Sequence, residues 1–238
     1  IVMRLYDTHF HLDLQKDIKG AIEEINNHKI YTIAMTNLPA LYEKELQYMS
    51  PYIRIGLGFH PELVREYKKY IPLMWKKMNE ARYIGEVGLD FTDSSSKVDQ
   101  LDFFSELVDR CRYDQNKIMS IHSRKAEKEV LDILGDNFAF KAIFHWFSGS
   151  IEHLKDAVKK GCYFSINANM VNSKRFEAIM KVVPANRVLL ETDSPFGTFI
   201  GIHHKTLEQI VSKISQKLHI SPEEGETLLW ENFRKLLK

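Results

Sequence analysis

The sequence predicts an α/β protein built as a (β/α)8 TIM barrel, with its active site at the C-terminal ends of the strands. Eight short runs rich in β-branched and aromatic residues recur along the chain and suit buried parallel strands. Amphipathic helical patterns fall between them. Almost every run also ends in a residue that can bind a metal. A barrel of parallel strands brings all its strand C-termini to one face, so ligand-type residues scattered in sequence would converge there. No Gly-x-Gly-x-x-Gly or P-loop pattern follows any run, which disfavours an open doubly wound nucleotide fold.

The first run, Met3–Thr8, leads into Asp7-Thr-His9-Phe-His11, and Ile18, Ala21, Ile22 and Ile25 mark the helix behind it. Ile30–Thr36 is the second run. Ile53–Gly58 is the third and leads into His60-Pro61. Arg82–Val87 is the fourth and carries Glu86. The polar stretch Thr92–Lys97 is a loop, and Leu101, Phe104, Leu107, Val108 and Cys111 then repeat at helical spacing. Lys117–Ile121 leads into His122, and the pattern Val130, Leu131, Leu134 stops at Gly135. Lys141–His145 ends on its own histidine, and Leu154, Ala157 and Val158 stop at Gly161. Cys162–Ile166 and Arg187–Glu191 complete the eight, the last leading into Asp193. Ser221-Pro222-Glu-Glu224 reads as a capped helix start.

At 238 residues the chain fits one domain, residues 1–238, with a full core. A net charge of +1 gives no global signature of nucleic-acid binding and leaves local basic patches open. Lys68, Lys69, Lys76 and Lys77 cluster in sequence, and a solvated helix face accounts for them. Cys111 and Cys162 form no Cys-x-x-Cys and read as reduced, buried thiols of a cytoplasmic protein. No apolar stretch approaches the roughly 20 residues needed to span a bilayer, so no membrane association is expected. No signal-peptide pattern opens the chain, which begins Ile1-Val2 ahead of Met3. A monomer is the default expectation.

Alternating geometry points His9 and His11 to one side of an extended segment. A lone His-x-His is a weak signal, read as readily as a hydrogen-bonded pair on the rim; the remaining set raises its weight. Glu86 follows buried apolar residues, where a carboxylate is costly unless paired or metal-bound. Gly85 and Gly88 would let other groups approach it closely. A carboxylate can bridge two cations, which makes Glu86 the candidate bridging ligand. His122 and His145 end strongly apolar strands. Asp193 could ligate a metal and take the proton of an attacking water. Glu191 reads equally as a partner fixing a histidine tautomer or as a plain buried hydrogen bond. His60 and Arg124 are candidates for the substrate phosphate, and His60 also for leaving-group protonation; Arg124 reads equally as a solvated residue of a first helical turn. Phe10, Phe59, Phe91, Trp146 and Phe147 follow strand ends, where they could stack on bases or plug the barrel mouth. Mixed N/O ligands suit Zn, Mn, Fe or Ni and, with enough carboxylate, Mg.

Six motifs in order resemble the TatD family of metal-dependent deoxyribonucleases, within the amidohydrolase-type barrels. They are Asp7-Thr-His9-Phe-His11-Leu12, Gly58-Phe-His60-Pro61, Gly85-Glu86-Val-Gly88-Leu-Asp90, His122-Ser-Arg124-Lys-Ala126, His145-Trp-Phe-Ser148-Gly149 and Glu191-Thr-Asp193-Ser-Pro195. The resemblance implies two divalent metal ions, with Mg or Mn supporting turnover and Zn, Ni or Fe also fitting the ligands. His9, His11, Glu86 and Asp193 would hold one ion, and Glu86, His122 and His145 the other. His60 and Arg124 would meet the phosphate, and Asp193, Glu86 and His60 would carry the chemistry. The implied substrate is DNA, cleaved exonucleolytically from single-stranded ends. Two departures stand out. Phe196–Lys205 is shorter than the family's usual loop, and its His203 and His204 match no family ligand and read as surface or capping residues. Trp146 stands where a Cys is common. With Gly161-Cys162-Tyr-Phe164-Ser165, that Trp resembles the TatD-like member of the Qat anti-phage defence systems, which would make other proteins of a defence operon its partners. The alternative is a hydrolase of a small lactone, amide or phosphoester, because loop changes switch substrates on one barrel. An inactive scaffold is disfavoured by the intact ligand set.

Overall fold

A computed structural model describes residues 3–198 and 203–238. All eight expected strands form, in order: β1 (Tyr6–Phe10), β2 (Tyr31–Met35), β3 (Ile53–Gly56), β4 (Tyr83–Gly88), β5 (Ile118–His122), β6 (Lys141–His145), β7 (Tyr163–Ile166) and β8 (Val188–Leu190). Neighbours pair in parallel, as β1-β2-β3 and as β4-β5-β6-β7-β8. A parallel bridge between Leu57 and Ile84 joins the two sheets, with Leu57 N–H donating to Tyr83 O and Gly85 N–H to Leu57 O, each at 2.9 Å. No ladder joins β8 to β1 among the described residues. The chain just beyond β8 instead meets β1 through Asp193 N–H to His9 O (2.9 Å) and His11 N–H to Ser194 O (3.0 Å). The architecture is that of an α/β barrel of (β/α)8 type.

The helices are α1 (Ile18–Asn27), α2 (Pro39–Glu45), α3 (Ile71–Met78), α4 (Lys97–Cys111), α5 (Glu127–Leu134), α6 (Ile151–Lys159), α7 (Ala168–Val171), α8 (Phe176–Val182), α9 (His203–Leu218) and α10 (Pro222–Leu236). Their ends follow the local chemistry. Ser221 and Glu224 close a reciprocal capping box on α10. Gly135 ends α5 at φ 64°. The lysine cluster is tied at the surface, Lys68 to Asp99 and Lys77 to Glu43, each at 2.6 Å. Cys111 and Cys162 are buried and unpaired. No helix among the described residues is long and apolar enough to cross a membrane.

Two register shifts bear on the site. Between Asp7 and Phe10, β1 runs three steps against two of β2, and between Ile84 and Val87, β4 does the same against β5. An extra residue of this kind bends a strand and re-aims its side chains. The affected residues include His9 in one strand and Glu86 in the other.

Candidate metal centre

Glu86 is the hub. Its Oε2 faces Nε2 of His9 at 3.5 Å and of His11 at 3.4 Å. Its Oε1 faces His122 Nδ1 at 2.8 Å, His145 Nε2 at 3.0 Å and His60 Nε2 at 3.5 Å. Asp193 Oδ1 closes the first group, 3.4 Å from His11 Nε2 and 3.7 Å from His9 Nε2. The flanking glycines permit this crowding. A Cβ on Gly88 would lie 2.0 Å from His122 O, and one on Gly85 3.0 Å from Ser120 Cβ, both at positive φ. Among the described residues, three groups each present donor atoms within 4.8 Å of one another: His9, His11 and Asp193; His9, His145 and Glu191; and His60, Glu86 and His122.

These donors suit a cation better than each other. His9 Nε2 and His11 Nε2 are buried with no hydrogen-bond partner, although two carboxylates face them. Two imidazole nitrogens and two carboxylate oxygens directed at one region form a mixed N/O donor set. The charges tell the same story. Burial raises the cost of ionising Glu86, yet the charges of His60 and His145 and hydrogen bonds from His11 and His122 hold it well below the usual carboxylate range. Asp193 is lowered against its burial by His11, His145 and His9. Burial disfavours protonated His11, but hydrogen bonds to Asp193 and Glu86 raise it to about 10. His145 goes well up despite burial because Glu191 and Glu86 lie beside it. Burial and the neighbouring His145 push His9 down, which keeps its imidazole neutral. A cation held among these donors would displace the histidine protons and neutralise the same carboxylates.

A supporting shell fixes the rings. Ser120 Oγ engages His9 Nδ1 at 2.8 Å, turning Nε2 to the centre. His122 Nε2–H donates to Asp90 Oδ2 at 2.7 Å, leaving Nδ1 for the Glu86 side. Hydrogen bonds to His122 and Thr92 overcome burial to depress Asp90. His60 Nδ1 accepts from Glu62 N–H at 3.3 Å, which puts the proton of a neutral ring on Nε2, the nitrogen that faces Glu86. Glu191 is the buried hydrogen-bond acceptor of the second expectation, and only an ion-pair contact ties it to His145. It lies 3.5 Å from His145 Nδ1, and it also accepts from Ser165 Oγ, Asn167 Nδ2 (2.8 Å) and Trp146 N–H (3.1 Å). Arg124 lines the same cavity of about 630 Å³ with His60, Glu86, His122, His145 and Asp193.

Asp90, Ser120 and Asp7 were not singled out in the sequence. Asp7 is fully buried and accepts from His9 N–H (3.1 Å), Thr192 N–H (3.0 Å), Thr192 Oγ1 and His203 Nε2–H (2.8 Å). His203 therefore corrects an expectation: it is buried at the start of α9 and holds β1, not a surface residue. The spacing His203, Leu207, Ile210, Val211, Ile214 places it on the apolar face, a signal readable from sequence. His204 pairs with Glu24 (3.1 Å) and stacks on His28 with ring centroids 3.7 Å apart. Of the Phe196–Lys205 loop, residues 199–202 lie outside the described residues.

A barrel that gathers four strand-end histidines, a fifth beside them and two carboxylates presents the donor set of a metal-dependent hydrolase. Residues 6–238 match the family model described as TatD related DNase. The chain belongs to the TatD family of metal-dependent hydrolases and DNases. It is 28% identical over 259 residues to an uncharacterized metal-dependent hydrolase, YabD, of Bacillus subtilis, covering 98% of this chain and 99% of that one. It is 25% identical over 214 residues to the human deoxyribonuclease TATDN3, covering 80% and 78%. Its fold superposes on an uncharacterized amidohydrolase from Saccharomyces cerevisiae (TM-score 0.80, 17% identity, 98% and 99% covered). It likewise superposes on the TatD homologue YjjV of Escherichia coli (TM-score 0.79, 16% identity, 99% and 98% covered).

Proposed function

We propose that the chain hydrolyses phosphodiester bonds of DNA, exonucleolytically from single-stranded ends, at a two-cation site. The observation that carries this reading is Glu86, whose two oxygens face two separate donor groups. His9, His11, Glu86 and Asp193 would hold one cation, and Glu86, His122 and His145 the other. Bound Mg or Mn would supply the Lewis acidity of the displacement, and Zn, Ni or Fe fit the same donors.

The chain's own groups then have defined tasks. Asp193 takes the proton of the attacking water as its oxygen bonds to phosphorus. The P–O bond to the leaving oxygen breaks, and His60 Nε2–H returns a proton there. Arg124 pairs with the non-bridging phosphate oxygens in a fork. Glu86 holds both donor groups in register. The deoxyribonuclease name of the human relative supports DNA as substrate. Unpaired cysteines support a cytoplasmic setting. The His145-Trp146 motif supports partners encoded in a defence operon.

Linear and circular single-stranded DNA, supplied with Mg or Mn, separate the possibilities. Stepwise shortening of the linear strand with the circle left intact is the expected result. Cutting of the circle would overturn the exonuclease assignment. Turnover of aryl lactones or amides with both DNAs untouched would establish the small-molecule reading instead.

A further inference from the structure

We infer that Trp146 and Phe196 form a nucleobase subsite beside the cation cluster, one that stacks an unpaired base of the substrate strand; this rests on the nuclease reading above. Of the aromatic residues that follow strand ends, Phe10, Phe59 and Phe147 are fully buried and belong to the core. Phe91 is packed against the core and lies 4.3 Å from Lys97 Nζ. Trp146 also packs against the core, but unlike Phe91 it lines the cavity that holds His60, Glu86, His122, His145 and Asp193. Phe196 lines the same cavity and is 60% exposed.

Both rings are set by the site itself. Trp146 directly follows His145, and its backbone is held at φ 41° with its N–H donating to Glu191 Oε1 at 3.1 Å. A left-handed conformation is uncommon for a bulky residue and points to a positional requirement. Phe196 N–H donates to Asp193 O at 2.7 Å, and its ring meets His11 edge-on at 5.4 Å. A single exposed Phe is ordinary on a protein surface. Two aromatics, each tied by backbone to a ligand-type residue and lining one cavity with Arg124, are not. The cavity, about 630 Å³, is of small-ligand size rather than a duplex groove. Arg124 and the imidazoles that line it suit a phosphate, and the aromatic side chains that line the same cavity match the other chemistry of a nucleotide, its base. Every base offers a π-face, so this subsite selects an unpaired end without selecting sequence.

The test uses a short oligothymidylate and the same oligomer with an abasic terminal residue. With Mn, the wild type is expected to show a KM lower for the intact end by on the order of ten-fold. Trp146→Ala is expected to lose that preference, its KM for the intact end rising to that for the abasic one, and Trp146→Phe to keep most of it. In EDTA, the intact oligomer should quench tryptophan fluorescence through Trp146 and the abasic one should not. An end preference equal in wild type and Trp146→Ala, with both oligomers cut, overturns the subsite and leaves the nuclease reading standing. If the wild type cuts neither oligomer the nuclease reading fails. The quenching then decides the subsite: selective quenching supports it, and equal or absent quenching overturns it.

Discussion

Replacing Glu86 with Gln removes one charge and keeps the side chain's shape. Glu86 lies within 3.5 Å of ring nitrogens on His9, His11, His60, His122 and His145. Against burial, Asp193, Asp90 and Glu191 raise His11, His122 and His145 respectively, and Glu86 adds to the rise of all three. Removing one partner of a buried ionic group costs about 3–5 kcal/mol, because the remaining charges stay buried without compensation. For a chain of this length each kcal/mol shifts Tm by about 2–4 °C, so the cation-free variant should melt roughly 6–20 °C below wild type. Cation binding suffers separately. A neutral amide offers one acceptor oxygen where the carboxylate offers two, so only one donor group can keep its contact. Calorimetric titration with Mn should give two cations per wild-type chain. Glu86→Gln should bind at most one, at least about 100-fold more weakly, a difference of about 2.7 kcal/mol or more. A variant that takes up two cations with wild-type affinity would refute the bridging role.

Other residues give independent tests. Burial, and then Asp13, raise Glu45 from 4.5 to about 8, and neither of its oxygens has a hydrogen-bond partner. The folded state keeps this proton through a window in which the unfolded state has lost it. Stability therefore falls as pH rises from about 4.5 to 8, by up to about 1.4 kcal/mol per pH unit. Glu45→Gln should stabilise the protein by up to about 5 kcal/mol above about pH 8 and by about 1 kcal/mol or less near pH 5; urea midpoints that shift equally at both would contradict this. Asp90→Asn should fold normally but bind Mn about 10–100-fold more weakly, because the partner that orients His122 has lost its charge; unchanged affinity by titration counts against that role. His203→Ala should cost about 1–3 kcal/mol by leaving buried Asp7 short of a donor, and His204→Ala, at the partly exposed Glu24 pair, under about 1 kcal/mol. Equal losses by denaturant unfolding would sink the distinction.

Much of the barrel was legible because each strand carries its own apolar run and its own terminal chemistry. The boundary of β1 was the least accurate. The apolar run is Met3–Thr8, whereas the strand spans Tyr6–Phe10 and continues through His9. Polar ligands inside a strand break the apolar pattern from which strands are read, and the register shift there adds a residue that simple alternation does not anticipate. Strand-end histidines were legible for the same topological reason. Asp90 has no role legible in the sequence, because only the fold reveals that it lies behind His122. His203 reads from sequence as a surface or capping residue because its partner, Asp7, is 196 residues away. Its helical spacing pointed inward, yet no local pattern names so distant an acceptor. Trp146 and Phe147 are adjacent aromatics that sequence alone could not separate, and burial divides them into a cavity wall and a core residue.

The most direct test strips the protein of metal, then follows nucleotide release from end-labelled single-stranded DNA as Mg or Mn is restored, in wild type and in Asp193→Asn. Release that is absent without cation, returns with it in the wild type and stays at least about 100-fold lower in the variant is the expected result. Release that persists in the stripped protein, or at wild-type rate in Asp193→Asn, would contradict a cation-dependent phosphodiesterase built on these residues.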